Sequence, residues 1–109
     1  MKLRKWTLVT VPMMLIIFGA ALNQAAVVAN HGQMPVLWPG GCDNFPNTDD
    51  TDHVCMTPET RLKFLCDWIE LHGAVESPGD VFILLGMVLL HPLFWMWVGL
   101  VLRRLDYVE

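Results

Sequence analysis

One histidine, His91, interrupts the second of two long apolar stretches, in the segment Leu89-Leu-His-Pro-Leu-Phe-Trp-Met-Trp97. A neutral imidazole is a good metal ligand, and an ionisable side chain at this kind of position points to function and needs a polar partner. Pro92 removes a backbone donor, which predicts a helix kink and a small polar niche. A ligand role and a structural hydrogen bond to a neighbouring helix are both open.

Three cysteines and His53 could supply ligands for zinc or haem iron. They include no CxxC, CxxCH or HExxH unit, so the sequence predicts no metal centre. Cys42 and Cys55 enclose a short loop, and we predict a disulfide between them in an oxidising compartment, although spacing does not decide the connectivity. Cys66 is then the odd thiol.

Other chemistry is poorly represented in the sequence. The acidic stretch Asp43–Asp52 lacks the spacing of an EF-hand loop, which favours a solvated loop over a calcium site. No spacing pairs a nucleophile with a base, and no glycine-rich phosphate loop is present. We therefore expect no enzymatic activity.

The elements that position these residues follow from hydropathy. The chain has 109 residues and is 54% hydrophobic, which is more apolar surface than so short a chain can bury in its own core. Residues 6–29 and 81–102 are each long enough to cross a bilayer, which needs roughly 20 helical residues. His91 then lies about 15 Å into the second span, near the bilayer midplane.

Charge predicts the orientation of the two spans. Basic residues cluster in the segments 1–5 and 103–109, which places both termini in the cytoplasm. Residues 30–80 form an extracytoplasmic acidic loop, whose charge argues against a nucleic-acid partner. Val27-Val28-Ala29 resembles a signal-peptide cleavage site, but the long apolar region favours an uncleaved anchor.

A helix start signal, Thr57-Pro58-Glu59, opens the second half of the loop. Apolar spacing there predicts an amphipathic helix over about 58–71, lying along the membrane interface. Arg61 is expected to form an ion pair with Asp67 that holds this helix to the loop. Ser77 and Asp80 form a second start signal, resembling a capping box, before the second span.

Small residues in the first span predict helix packing. Ala21, Ala25 and Ala29 recur every four positions, the spacing that lets two helices approach closely in lipid. Gly19 gives further room at the depth of His91. Asn23 and Gln24 lie in the same half of the span and should face protein or the interface rather than lipid, because an unpaired amide in hydrocarbon is costly.

Three sequence blocks resemble a known family. They are Asn30-His-Gly-Gln-Met-Pro-Val36, then Thr57-Pro-Glu-Thr-Arg-Leu-Lys-Phe-Leu65 with Asp67-Trp68-Ile69, and Ser77-Pro-Gly-Asp80. Together they are similar to an uncharacterised family of small bacterial integral membrane proteins, a domain of unknown function. The resemblance implies a location in the bacterial cytoplasmic membrane and one packed unit outside it, but no reaction, cofactor or partner.

A shorter resemblance concerns His91. The pattern His91-x-Leu-x-Trp95-x-Trp97 is similar to a stretch of bacterial light-harvesting beta polypeptides. In that family the histidine ligates the magnesium of bacteriochlorophyll and a tryptophan bonds a pigment carbonyl. This resemblance implies a bacteriochlorophyll or haem site at His91, with Trp95 or Trp97 lining it, in a photosynthetic or respiratory complex.

The sequence as a whole predicts an all-α membrane protein: a two-span helical hairpin with an extracytoplasmic loop and a short interfacial helix. We expect a non-catalytic accessory subunit whose partners are the bilayer and other integral membrane subunits. The alternative is a pigment-binding or haem-binding subunit with His91 as axial ligand.

Overall fold

The computed structural model describes residues 5–46 and 51–108. Asp49, Asp50 and most of the predicted cytoplasmic N-terminus lie outside these ranges. The chain is mostly helical, but the expected all-α fold needs correction because short strands are also present. The helices are α1 (Lys5–Ala29), α2 (Pro78–Leu90) and α3 (Pro92–Val108), and the strands are β1 (Met34–Val36), β2 (His53–Cys55), β3 (Ile69–Leu71) and β4 (Ala74–Glu76).

α1 and α2 pack side by side with opposite chain directions, and glycines form the contact. A Cβ atom built on Gly19 would lie 2.4 Å from the carbonyl oxygen of Gly79. One built on Gly86 would lie 2.6 Å from both the carbonyl oxygen of Pro12 and the Ile16 side chain. The two backbones therefore approach more closely than any larger residue at these positions would allow.

The residues between α1 and α2, here called the loop unit, are built on β1. β1 pairs with β2 in parallel, and Val36 also forms a bridge with Asp67 on its other side. β3 and β4 form an antiparallel hairpin through His72 and Gly73, which both have positive φ as a two-residue type I′ turn requires. The loop unit rests on the end of α1 through a small core of Ala26, Met34 and Cys66.

The predicted amphipathic helix over 58–71 is wrong. This segment contains a turn at Thr57–Thr60, a 3₁₀ helix at Lys63–Leu65 and the strand β3. The backbone N–H of Asp67 donates to Pro35, and its carbonyl accepts from Leu37. Those bonds to β1 use the groups that a helix would need, so tertiary pairing overrides the apolar periodicity.

The second apolar stretch is interrupted at His91. α2 ends at Leu90 and α3 begins at Pro92, with a bend of 64° between the two helices. Proline cannot donate to the preceding turn and its ring clashes there, which explains the break. By length and composition, Trp6–Ala29 of α1 is one helix able to cross a membrane, and α2 with α3 counts as a second only if the bent pair is one broken span.

Candidate functional site

A polar junction of Asn23, Ser77 and Asp80 joins α1 to α2 at the end of the helix pair that carries the loop unit. The Asn23 amide donates to Asp80 Oδ1 at 2.8 Å, and the Ser77 hydroxyl donates to Asn23 Oδ1 at 2.6 Å. Ser77 and Asp80 also exchange two hydrogen bonds of 3.1 Å, forming the predicted capping box. Asn23 thus faces protein, one of the two environments expected for it, whereas Gln24 is exposed.

Asp67 is the most unusual ionisable residue of the loop unit. Its side chain is only 8% exposed, and Oδ2 lies 3.9 Å from His53 Nε2. Oδ1 has no hydrogen-bond partner within residues 5–46 and 51–108. Burial, reinforced by the negative charge of Asp80, raises the pKa of Asp67 from 3.8 to about 6.

Asp67 and His53 line two pockets on different sides. The aromatic pocket has a volume of about 290 Å³, and its other walls are Val36, Trp38, Phe45, Pro46 and Val75. The junction pocket has a volume of about 340 Å³ and is also lined by Asn23, Asp52 and Asp80. The same buried residue thus contributes to one pocket with aromatic walls and to another with acidic walls.

The donor set around these pockets does not suit a metal ion. Within the described part of the chain, no group of three His, Cys, Asp or Glu side chains is arranged to hold one. The carboxyl of Glu76 is also perturbed, because hydrogen bonding with Asp80 and partial burial raise its pKa. The electrostatic character of the region is therefore acidic, without a chelating geometry.

The predicted ion pair between Arg61 and Asp67 is absent from the described residues, where the charged group recorded beside Asp67 is His53. Arg61 is held instead through its backbone. The Asn30 amide donates 2.8 Å bonds to the carbonyls of Ala26 and Arg61, and Asn30 Oδ1 accepts from the Arg61 N–H at 2.9 Å. Asn30 thereby ties the end of α1 to the loop unit.

The structure contains a disulfide between Cys42 and Cys55, with a Cα–Cα distance of 5.7 Å. The bond attaches the segment that carries Trp38 and Phe45 to β2. Cys66 is a buried free thiol that donates to the Leu62 carbonyl at 3.3 Å. Burial raises the pKa of the Cys66 thiol, which makes it a packing residue rather than a reactive one.

His91 lies at the break between α2 and α3, where its side chain is exposed. Its Nδ1 accepts a 3.2 Å hydrogen bond from the Leu93 N–H, so His91 caps the start of α3. A neutral imidazole that accepts a hydrogen bond at Nδ1 carries its proton on Nε2. Neither nitrogen then has a free lone pair with which to bind a metal. The predicted ligand would have to break this cap before binding.

The two tryptophans that follow His91 have different surroundings. The Trp95 indole donates to the Leu89 carbonyl, a group that the helix break frees. Trp97 is 61% exposed. An apolar pocket of about 390 Å³ adjoins His91, but Leu84, Met87, Val88 and Phe94 line it rather than either tryptophan. In the described part of the chain, the pocket that His91 lines is therefore formed without Trp95 and Trp97.

Comparison with known proteins identifies the family to which the chain belongs. The model of DUF5317, a family of unknown function, matches residues 7–91. The chain belongs to this family. No curated protein and no solved structure matches the chain. The family region contains α1, the loop unit and α2, including the polar junction and Asp67, whereas α3 lies beyond it.

The predicted packing residues of α1 fall on two faces. Gly19 contacts α2, and the buried residue Pro12 also lies against α2, with its carbonyl oxygen beside Gly86. Ala21 and Ala25 are exposed and Ala29 is half-buried. The sequence reasoning grouped the glycine with the alanines, and the structure separates them.

Two structural features were not predicted from the sequence. Asn30 closes α1 onto the loop unit, and its place directly after the last apolar residue of α1 is the signal that could have revealed it. His72-Gly73 between two short apolar segments is a recognisable hairpin signal. The burial of Asp67 has no local signal, because it depends on contacts with β1.

Proposed function

We propose that this chain is a non-catalytic accessory subunit of a larger membrane protein complex in bacteria. The supporting observation is that α1 has two small-residue faces, of which only one is covered by other described residues. Gly19 packs against α2, whereas Ala21 and Ala25 lie about 200° and 240° further around the helix and are exposed. The second face is free for a neighbouring transmembrane helix.

The small size of these alanines supports a helix partner over lipid alone. Lipid chains adapt to any apolar surface, but alanines at four-residue spacing let another helix backbone approach closely. Val28 extends this face and is 68% exposed. The matched family region, residues 7–91, includes all of these residues.

α3 supports the same proposal. Its apolar side chains extend around the helix, and Leu93, Met96, Leu100 and Leu105 are each about 60% exposed. α3 bends away from α2, so the chain itself covers little of it. In the proposed topology α2 and α3 form one broken span, with Arg103 and Arg104 beside the cytoplasm and the acidic loop unit on the opposite side.

The alternative of a pigment or haem subunit receives less support. His91 caps α3 by accepting a hydrogen bond at Nδ1, and in that tautomer Nε2 carries the proton and cannot bind a metal. Neither Trp95 nor Trp97 lines the pocket beside His91. The accessory-subunit proposal depends instead on Ala21 and Ala25, which are exposed on the side of α1 that faces away from α2.

Native electrophoresis of mildly extracted membranes tests the proposal. We expect the chain to migrate in a species much larger than its 12.4 kDa mass, and the double variant Ala21→Leu/Ala25→Leu to shift most of it to a small free species. Ala20→Leu is the matched control for the single variant Ala21→Leu, because it adds the same bulk at an exposed position about 100° away around the helix. Migration of the unmodified chain only as a small free species would overturn the proposal.

A further inference from the structure

The aromatic pocket of the loop unit combines features that suit a particular class of ligand. Trp38 and Phe45 form one wall, with ring centroids 5.5 Å apart and planes at 85°. Asp67 and His53 form the polar part of the lining. The volume of about 290 Å³ is sufficient for a small organic ion.

Asp67 needs a positively charged or donating partner. Its side chain is more than nine-tenths buried, yet Oδ1 has no hydrogen-bond partner in the described part of the protein. A buried carboxyl oxygen without a donor is unfavourable, so such atoms are almost always satisfied in proteins. Asp67 lines the aromatic pocket, so a cation held in that pocket would supply the charge compensation that its buried carboxyl group lacks.

The surroundings favour a cation. Burial disfavours the negative charge of Asp67, and the carboxylates of Asp80 and Glu76 add to that cost, whereas His53 acts in the opposite sense. Asp52 and Asp80 line the junction pocket on the other side of the same residue. A cation beside Asp67 would be attracted by all of these groups, whereas an anion would be repelled.

The aromatic wall favours an organic ammonium over a metal ion. Aromatic faces attract alkylammonium groups through their π electrons while packing on the alkyl carbons. A metal ion would need several oxygen or nitrogen ligands, and no such group of three exists within the described residues. One carboxylate with two aromatic rings is the arrangement that suits a substituted ammonium.

The aromatic wall is held in place before any ligand arrives. The Phe45 N–H donates to Cys42, and the Gly41 N–H donates to Trp38. The disulfide from Cys42 to Cys55 then fastens this segment to β2, which carries His53. A prepositioned wall reduces the ordering that binding requires.

We propose that the aromatic pocket binds a substituted ammonium ion, with Asp67 as its counter-charge and Trp38 and Phe45 packed on its alkyl groups. The ammonium group can belong to a free solute or to a lipid headgroup, since the chemistry recognised is the same. This site lies in the loop unit and does not use the Ala21 and Ala25 face, so it stands independently of the accessory role.

Calorimetric titration of the full chain in maltoside micelles tests the proposal. The first probe is tetramethylammonium chloride, and the second is a short-chain phosphatidylcholine below its micelle concentration, with short-chain phosphatidylglycerol as its control. Binding of both probes, or of either alone, supports the site. Tetramethylammonium alone indicates a free solute, and phosphatidylcholine alone indicates a headgroup.

The variants identify the residues. Asp67→Asn is expected to weaken binding by about tenfold or more, because it removes a buried counter-charge. Glu70→Gln is the matched control, since it removes the same charge from an exposed position outside the pocket. If Asp67→Asn fails to fold, Trp38→Leu is tested instead and is expected to weaken binding of the probe by about fivefold. Its control is Trp68→Leu, which should leave the affinity unchanged. The proposal would be overturned if neither probe bound, or if the Asp67 and Trp38 variants bound the probes with the same affinity as the unmodified chain.

Discussion

The Asn23 amide and the Asp80 carboxylate are joined by a 2.8 Å hydrogen bond that links α1 to the first turn of α2. Ser77 donates to the same Asn23 side chain, so one amide satisfies groups from both partners of the capping box. This single side chain therefore couples the packing of the two helices to the start of the second.

We expect Asn23→Leu to lower the free energy of unfolding by about 2 kcal/mol, because it leaves Asp80 Oδ1 and the Ser77 hydroxyl without their partner. Thermal unfolding in mild detergent, followed by circular dichroism, measures the change. Gln24→Leu is the control, since Gln24 is the neighbouring amide and is exposed. Equal effects of the two substitutions would contradict the role of the junction.

Glycine substitutions test the contact between α1 and α2. Gly86→Ala places a Cβ 2.6 Å from the Pro12 carbonyl oxygen, a backbone atom that moves only with the helix. We expect a loss of about 1–3 kcal/mol from overpacking. Gly99→Ala meets no atom within 4 Å, so the higher helix propensity of alanine should leave stability unchanged or improve it by up to about 1 kcal/mol. Denaturation of both variants in the same detergent gives the comparison.

Asp67 makes stability depend on pH. Its pKa is raised to about 6 in the folded protein from a usual value of 3.8, so the folded state holds this proton more tightly than the unfolded state. The stability that the protonated group supplies is complete below about pH 4 and is lost as the pH rises through about 6, with a total on the order of 2 kcal/mol.

The measurement is the unfolding midpoint from pH 4 to pH 7 for the unmodified chain and for Asp67→Asn. The variant should lose less stability over this range, while Glu70→Gln should follow the unmodified chain. Glu76 also has a raised pKa and remains in every variant, so part of the slope should persist. Identical slopes in the presence and absence of Asp67 would show that its burial is not coupled to folding.

His91 can be tested as a helix cap. His91→Leu removes the acceptor for the Leu93 N–H and should cost about 1 kcal/mol. His91→Asn should retain most of that stability, because asparagine caps helices well but does not replace an imidazole ligand. The absorption spectrum of the purified protein is measured alongside. Loss of a visible band in both variants would instead support the ligand role.

The disulfide should stabilise the loop unit. The double variant Cys42→Ser/Cys55→Ser opens a loop closed across 13 positions, for which chain entropy gives about 3 kcal/mol. Unfolding midpoints with and without reductant measure the effect. Reductant should lower the midpoint of the unmodified chain and leave that of the double variant unchanged.

Part of this fold was accessible from sequence because its signals are local. The Ser77 to Asp80 capping box needs only neighbouring residues, and Pro92 disrupts any helix that reaches it. The stretch 58–71 was predicted incorrectly because its periodicity suits a helix, whereas its backbone groups bond to β1, far away in the chain. No local pattern reports such a partner.

The sequence by itself determined the apolar helices, the break at His91 and the acidic character of the loop, since each follows from composition or from one residue's covalent structure. Only the tertiary structure decided which face of α1 meets α2, and that Asp67 is buried beside two aromatic residues. Those outcomes depend on contacts between segments that are distant in the chain. Gly19 and Gly86 permit the close approach of α1 and α2, and the hydrogen bond from Asn23 to Asp80 fixes how the two helices align.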